Sequence, residues 1–384
     1  MKKLLAFILA VVTVVSLTAC KDKIPEGYKP FLEDGMMFDE EGDFVTIYNY
    51  CPCVIVDGED AYVWYCSNKK SGSHGDHIAY RRGKYINGQL YWGEKQILFG
   101  PTEGTYYSGN ICDPDVIKGE FKYKGETYNW LMTILGCTTV DNSANMFGFK
   151  VAKSPDGPWI DVPEVSPLYD FYDYYPGYVW GGGSYSDPSF IWGWGQCSLI
   201  SADQKGKVML FYTGRSSTAQ KYEYWDFSNL EAPKKIYEQD VPIKGLTQID
   251  GVTADNMCNA QFMYDQFNDD MYVVCDVHPF EQFEVPTNLP NLSRVYRLDN
   301  ATEGGALQDF FTDSDKKWER VLDIDKALTG FFRNHNCCFF RDPYGWMLED
   351  GKLDICYTRC LPGGDWKVLY SFRIYYMEYL IPKN

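Results

Sequence analysis

Two aspartates that precede prolines are the residues of this chain best suited to acid–base chemistry. Asp113 and Asp187 each open a short segment that ends in apolar residues. If the fold brings both carboxyl groups to one pocket, their like charges raise one pKa, and that carboxyl becomes a proton donor. The alternative is a local role, because an aspartate before a proline often shapes the turn that leads into a strand.

Aromatic and polar residues close to these aspartates predict a carbohydrate ligand. Residues 169–180 are dense in aromatic rings and end at Trp180, and Tyr185 lies two residues before Asp187. Residues 332–336 read Phe-Arg-Asn-His-Asn and supply His335 and Asn336. Loops often carry binding residues. Two alternatives stay open, namely that the rings pack on their own sheet and that His335 is structural.

A five-residue pattern recurs along the chain at spacings of 62 to 78 residues. It has a polar residue or cysteine first, then a small residue or proline, one further residue, and two mostly apolar residues. The leading residues of the five copies are Cys51, Asp113, Asp187, Asn259 and Cys337. Each copy is followed by a second strand-like run, and most copies by a third, with turn residues between them.

A unit of this length with three or four strands is typical of a propeller blade. We therefore predict an all-β fold, a five-bladed β-propeller over residues 43–384, in which 43–49 closes the ring against the last blade. The five leading residues would then surround one end of the central channel. A β-sandwich is the alternative, but it does not predict five equivalent segments.

The chain resembles five-bladed glycoside hydrolases of families 43 and 32. The resemblance lies in Asp-Pro-Asp-Val at 113–116, Ser-Asp-Pro-Ser-Phe at 186–190, Val-Met-Leu-Phe-Tyr-Thr-Gly at 208–214 and Ser-Pro-Asp-Gly-Pro-Trp at 154–159. It implies hydrolysis by a base Asp on the first blade, an Asp on a middle blade that tunes the acid, and a general-acid Glu at the head of another. Asp187 best matches the middle aspartate.

The other two carboxylates that the resemblance implies are missing from their expected places. Cys51 stands at the first, and Cys-Asn-Ala at 258–260 replaces the expected Glu-Gly-Pro. Asp113 and Asp255 are the candidate replacements, and Asp76 and Glu103 are further possibilities. We therefore carry two hypotheses: a glycoside hydrolase with Asp113, Asp187 and Asp255 as catalytic residues, or a glycan-binding propeller without catalysis. The predicted ligand-binding residues are Trp180, Tyr185, Asn259, His335, Asn336 and Cys51.

The first twenty residues predict export and lipid anchoring. Two lysines precede an apolar run that is too short to cross a bilayer, and Leu-Thr-Ala-Cys at 17–20 resembles a lipobox. We expect residues 1–19 to be a signal peptide, Cys20 to be lipidated on the outer side of the bacterial cell membrane, and residues 20–42 to be a tether. An ordinary secretory signal and an uncut anchor are the alternatives.

Composition restricts the partners. The net charge of −17 makes nucleic acid an unlikely partner, and we expect a monomer that binds an oligo- or polysaccharide. The cysteines after Cys20 lie within apolar, strand-like runs, which favours buried thiols over disulfides. No spacing indicates a zinc site and no cofactor is expected, although a structural calcium in the channel is compatible with the sequence.

Overall fold

The computed structural model describes residues 23–38, 47–69, 72, 75–139, 143–179, 189–214, 220–254, 257–277, 290–309, 316–360 and 371–382. This part of the chain is nearly all β. Its strands in chain order are β1 (Lys29–Pro30), β2 (Asn49–Asp57), β3 (Asp60–Asn68), β4 (Asp76–Ile86), β5 (Gln89–Trp92), β6 (Gln96–Phe99), β7 (Asn110–Tyr123), β8 (Glu126–Cys137), β9 (Met146–Ala152), β10 (Ile160–Asp161), β11 (Gly195–Ser201), β12 (Lys207–Thr213), β13 (Gln220–Asp226), β14 (Lys234–Asp240), β15 (Cys258–Asp265), β16 (Asp270–Asp276), β17 (Ser293–Leu298), β18 (Glu319–Ile324), β19 (Arg333–Arg341), β20 (Lys352–Cys360) and β21 (Arg373–Leu380).

In the described residues, helical structure is limited to single turns. The α-helical turns are α1 (Phe171–Tyr174) and α2 (Lys326–Thr329), and the 3₁₀ turns are Pro163–Val165 and Leu307–Asp309. Within the described ranges, no helix has the length and apolar character needed to span a bilayer.

The strands form three four-stranded sheets and one nine-stranded sheet. The four-stranded sheets run β7 to β10, β11 to β14 and β15 to β18, each with antiparallel neighbours. In the large sheet, β2 pairs in parallel with β19 through Val54 and Ile55 opposite Phe340 and Arg341. The first strands of the successive units, β2, β7, β11, β15 and β19, contact one another in a closed circuit.

This circuit confirms the predicted all-β propeller fold, and we call these five strands the inner strands. Dividing the nine-stranded sheet at its parallel pair gives five units, so the count of five blades stays a prediction that depends on this division. The predicted second and third runs of each copy correspond to β3, β8, β12, β16 and β20 and to β4, β9, β13, β17 and β21.

Apolar residues pack between neighbouring sheets, which explains why most strands are buried on both faces. The Phe211 and Phe262 rings stack with centroids 4.0 Å apart between the third and fourth units. Trp64 and Trp130 meet at 6.0 Å between the first and second. In contrast, the outermost strand β14 is largely exposed and reads Lys-Lys-Ile-Tyr-Glu-Gln-Asp. Much of the high aromatic content therefore builds the core.

Residues before β2 pack on the domain although the sequence assigned them to the tether. Met36 pairs with Tyr375 on β21, and the Met37 amide donates to the Ile374 carbonyl at 2.9 Å. The Met37 side chain is fully buried. This pairing covers the free edge of β21, which would otherwise expose unpaired backbone groups. The predicted closing segment 43–49 is described only from residue 47, and Asn49 begins β2.

Candidate functional site

Each inner strand begins with a β-bulge that turns one side chain toward the channel. The register shifts between Cys112 and Asp115 on β7 and at the corresponding place on the other inner strands. A bulge adds a residue to one strand and redirects its side chain. We call the redirected residues the strand heads; they are Cys51, Asp113, Gln196, Asn259 and Asn336.

The strand heads lie together. All five line one pocket at the start of the inner strands, with Pro52, Pro114, Asp115, Cys197, Ala260, Gln261, Cys337 and Cys338. Four heads have left-handed backbone, with φ of 48° at Cys51, 49° at Asp113, 50° at Asn259 and 45° at Asn336. Asparagine and aspartate adopt this conformation more readily than most residues. We call this end of the channel the mouth.

In the third and fifth copies of the five-residue pattern, the residue that the bulge turns inward differs from the predicted leading residue. Asp187 was expected to open the third inner strand, but β11 begins at Gly195, and its strand head is Gln196. Residues 189–191, which follow Asp187 in the motif, lie outside any strand. In the fifth copy the strand head is Asn336, one residue before Cys337. The five-residue pattern located the copies but did not identify which residue each bulge turns inward.

Asp113 is the acidic strand head, and its carboxyl group has an altered proton affinity. Burial is the main cause that raises the pKa of Asp113 to about 6, and the nearby charges of Asp76 and Asp276 act in the same direction. The Cys51 thiol, whose sulfur lies within 4.8 Å of a carboxylate oxygen, and His335 oppose this rise. The side chain is still partly exposed. Asp113 is therefore a reachable proton donor near neutral pH.

A buried aspartate and histidine form the second polar group of the mouth. Asp276 accepts a hydrogen bond from His335 Nδ1 at 2.7 Å and from the Ser293 hydroxyl at 2.5 Å. The Asn259 side-chain amide and the Asn336 backbone amide also donate to it. Because Nδ1–H donates to the carboxylate, Nε2 is left as the acceptor nitrogen of His335. Sequence reasoning missed Asp276, whose only signal is a charge at the end of the apolar run 271–275.

The two further candidate carboxyl groups, Asp76 and Glu103, lie in different surroundings. Asp76 begins β4, is buried, and accepts hydrogen bonds from the hydroxyls of Tyr48 and Tyr50, each at 2.8 Å. Glu103 lies exposed in the turn before β7. The structure therefore places Asp76 near Asp113 and leaves Glu103 on the surface.

Two amide oxygens at the mouth lack partners within the described residues. They are Oδ1 of Asn259 and Oδ1 of Asn336, on side chains whose exposed fractions are 8% and 7%. Buried polar atoms are nearly always hydrogen-bonded, so an unpaired one calls for an explanation. Two such acceptors on strand heads of one pocket suit a ligand that brings hydroxyl donors.

A buried ion pair closes the channel beneath the strand heads. Asp115 and Arg341 meet at 2.6 Å, and Asp115 also accepts from Gln261 Nε2 at 2.8 Å and from the Leu199 amide at 2.6 Å. Arg341 reaches the Phe262 carbonyl at 2.9 Å. Because both carboxylate oxygens of Asp115 have hydrogen-bond partners, Asp115 is a structural residue, although it shares the motif of Asp113.

One expected thiol pair is oxidised. Cys66 on β3 and Cys112 on β7 form a disulfide, which corrects the expectation of free thiols at these positions. The Cys51 sulfur, the two disulfide sulfurs and an Asp113 carboxylate oxygen lie within 4.8 Å of one another. Disulfide sulfurs are not thiolates, so with the bond intact this group lacks the ligand set of a zinc site. Free cysteines elsewhere, such as Cys356, are buried as predicted.

The described part of the aromatic loop, residues 169–179, packs partly on the domain and exposes one ring. Phe171 is fully buried, and the Tyr169 hydroxyl donates to Glu223 at 2.5 Å. The Tyr174 ring is 48% exposed and meets Trp194 edge-on at 5.0 Å. The packing alternative therefore holds for much of the described loop, with Tyr174 as the exception.

The structure thus brings together five predicted site residues at the mouth: Cys51, Asp113, Asn259, His335 and Asn336. The other predicted site residues lie outside the described part of the chain. They are Trp180, Tyr185, Asp187 and Asp255, together with the predicted lipidation residue Cys20.

Comparison with known proteins identifies the fold at low sequence identity. No family model matches the chain, and no curated protein sequence does. A solved structure described as a glycoside hydrolase matches with a TM-score of 0.52 and 11% identity over 93% of this chain and 96% of its own. The catalytic domain of a family 62 α-L-arabinofuranosidase from Coprinopsis cinerea has a TM-score of 0.51 and 11% identity, covering 91% and 95% of the two chains.

A third match is the exo-β-1,3-galactanase from Phanerochaete chrysosporium in complex with β-1,3-galactotriose. Its TM-score is 0.50 and its identity 12%, over 92% of this chain and 63% of the galactanase, so this chain spans less than two thirds of that protein. At such identities the likeness establishes a shared fold and assigns no residue a role. The chain therefore has the β-propeller fold of these glycoside hydrolases.

Proposed function

We propose that this protein is a carbohydrate-active enzyme that hydrolyses glycosidic bonds of an oligo- or polysaccharide at the mouth. One observation carries the proposal: the partly exposed carboxyl group of Asp113 shares its pocket with the unpaired amide oxygens of Asn259 and Asn336. The carboxyl group supplies a proton and the amides accept hydrogen bonds from sugar hydroxyls. Convergent polar groups of this kind are typical of a small-molecule site.

In the proposed reaction, protonated Asp113 donates its proton to the glycosidic oxygen as the bond to the anomeric carbon breaks. His335 Nε2 takes a proton from a water molecule, which attacks that carbon, and Asp276 stabilises the imidazolium that forms. Because the donor must be protonated, turnover should fall as the pH rises above about 6. An acid that protonates the leaving oxygen and a separate base that activates a water molecule on the opposite face would give inversion at the anomeric carbon.

The sequence-based candidates outside the described residues remain part of the proposal. Trp180 and Tyr185 are proposed to stack on sugar rings, and Asp187 and Asp255 to supply further carboxyl groups. The exposed Tyr174 ring in the same loop supports a role for this region in binding.

A glycan-binding protein without catalysis is the second candidate. It is favoured by the strand heads themselves, because four of the five carry a thiol or an amide in place of a carboxyl group. A binder needs hydrogen-bonding groups but no second acid or base.

The deciding experiment is a panel of β-1,3-galacto-oligosaccharides, arabinofuranosides and xylo-oligosaccharides incubated with wild type and Asp113→Asn. Release of reducing ends by wild type, with a loss of about 10²–10⁴-fold in the variant, supports the enzyme. Binding by calorimetry without any release by wild type contradicts it and supports the binder.

We further propose that the protein is exported and anchored by a lipid on Cys20, on the outer side of the bacterial cell membrane. The proposal is supported by the lysines, the short apolar run and the Leu-Thr-Ala-Cys segment of residues 1–20. Cys20→Ala should abolish incorporation of labelled palmitate and release the protein from the membrane fraction. A variant that keeps the label would contradict this assignment.

A further inference from the structure

Asp113 has a strained backbone that something must hold in place. Its φ of 49° lies in the left-handed region, where a residue with a side chain is destabilised unless its surroundings compensate. Asp113 also sits directly after Cys112, which the disulfide joins to Cys66 on β3. The sulfur atoms of Cys51, Cys66 and Cys112 all lie close to its carboxylate.

Three cysteines contact Asp113 from three directions, and we call Cys51, Cys66 and Cys112 the sulfur cluster. The backbone amide of Asp113 donates to Cys66 Sγ at 3.1 Å. The Cys51 sulfur on β2 lies within 4.8 Å of an Asp113 carboxylate oxygen, and this thiol lowers the pKa of the carboxyl group. Cys112 holds the chain on the other side of the peptide bond, and its Cα lies 5.4 Å from that of Cys66.

The disulfide also joins two units at the mouth. Cys66 belongs to the first unit and Cys112 to the second, 46 residues apart, and β3 and β7 are not hydrogen-bonded neighbours. Without this bond, only noncovalent contacts hold the start of β7 against β3, so we expect more water to reach the Asp113 carboxyl group.

We propose that the sulfur cluster positions Asp113, with the Cys66–Cys112 disulfide holding its backbone and the Cys51 thiol holding its carboxylate. The site is then sensitive to reduction. A dithiol transfers two electrons and two protons to the bond and becomes a cyclic disulfide, and Cys66 and Cys112 become two thiols. The expected effect on turnover rests on the proposed function, whereas the positioning of Asp113 does not.

Several groups besides the sulfur cluster influence the titration of Asp113. The titratable groups that face it come from six strands and are Tyr50 and Cys51 on β2, Asp76 on β4, Cys197 on β11, Cys258 on β15, Asp276 on β16 and His335 on β19. All of these remain in variants that change only Cys66 and Cys112, so such variants isolate the disulfide.

The test follows the titration of the Asp113 carboxyl carbon by NMR in protein with labelled aspartate, assigned by its loss in Asp113→Asn. The Cys66→Ser, Cys112→Ser double variant, and wild type reduced with dithiothreitol, should titrate at lower pH because water reaches the carboxyl group. Cys51→Ala should shift the titration upward, because it removes the thiol donor, and Cys51→Ser should restore it. Cys137→Ser, a buried cysteine at the end of β8, is the matched control.

An unchanged Asp113 titration in folded, reduced protein would overturn the proposal. This readout needs no substrate, so it remains informative if no glycan is hydrolysed and the proposed function fails. If turnover is found, the double variant should lose at least tenfold in kcat, and its pH profile should shift with the carboxyl titration. A loss of kcat without that shift would mean that the disulfide only stabilises the fold.

Discussion

Replacing Asp113 by asparagine should stabilise the protein at neutral pH. Burial raises the pKa of Asp113 from 3.8 to about 6, so the folded protein holds this proton more tightly than the unfolded chain does. The free energy of unfolding therefore falls as the pH rises from about 4 to about 6, and the full cost of the buried charge is present above that range. Asparagine never ionises, so the variant avoids this cost.

The expected gain in the free energy of unfolding follows from the pKa shift of Asp113. About two pKa units at 1.36 kcal/mol each give about 3 kcal/mol at pH 7.5. The partial exposure of the side chain and the weaker hydrogen bond from the Cys51 thiol to a neutral acceptor reduce this, so we expect about 1–3 kcal/mol. At pH 4 the difference should be small, because the aspartate is then neutral in the folded state and only a little over half ionised in the unfolded state.

Urea unfolding of wild type and variant at pH 4, 5.5 and 7.5 measures this difference. Asp156→Asn, at an exposed position, is the matched control and should show little change at any of the three values. The reasoning is refuted if Asp113→Asn changes stability equally at all three pH values, or if the variant is the less stable protein at pH 7.5. If the variant is more stable but no longer turns over substrate, Asp113 serves the activity of the site and destabilises the fold.

Three further variants test the rest of the mouth. Asp276→Asn should lower kcat by about 10²-fold or more, because His335 loses the carboxylate that orients Nδ1–H and stabilises the imidazolium; unchanged kcat would remove His335 from the mechanism. Asn336→Gly keeps the left-handed backbone but removes the amide oxygen, so calorimetry should show about five- to tenfold weaker glycan binding by the folded variant, and unchanged affinity would contradict a role for this oxygen in binding. Arg341→Met leaves the buried Asp115 charge without its counter-charge and should lower the free energy of unfolding by about 3–5 kcal/mol in urea titration; a loss below 1 kcal/mol would contradict the ion pair at the channel floor.

Local patterns in the sequence were sufficient to predict the strands and much of the mouth. Alternating turn residues and aromatic or branched runs located the second and third strands of every copy, because strand formation depends mainly on nearby residue types. The same recurrence placed Cys51, Asp113 and Asn259 at equivalent positions, and the structure brings all three to one pocket. His335 and Asn336 were found because they directly precede the last copy.

The register of each inner strand was decided only by its partners. Residues 187–191 match the local pattern as well as 113–117 do, yet β11 begins at Gly195, where its backbone pairs with Thr213 on β12. A bulge is a mismatch between two strands, so a pattern within one strand does not reveal it. This is why Gln196 went unrecognised as a strand head.

The chemistry of Asp113 likewise depends on residues far from it in the chain. Asp276 lies in the fourth unit and Cys66 in the first, and neither has a sequence motif that links it to Asp113. Proton affinity depends on burial and on charges within a few ångströms, whatever their separation along the chain. The sequence alone determined which strands form and which residue types stand at their starts. The closed ring of sheets decided which of these groups meet, and thereby which carboxyl group can act as an acid.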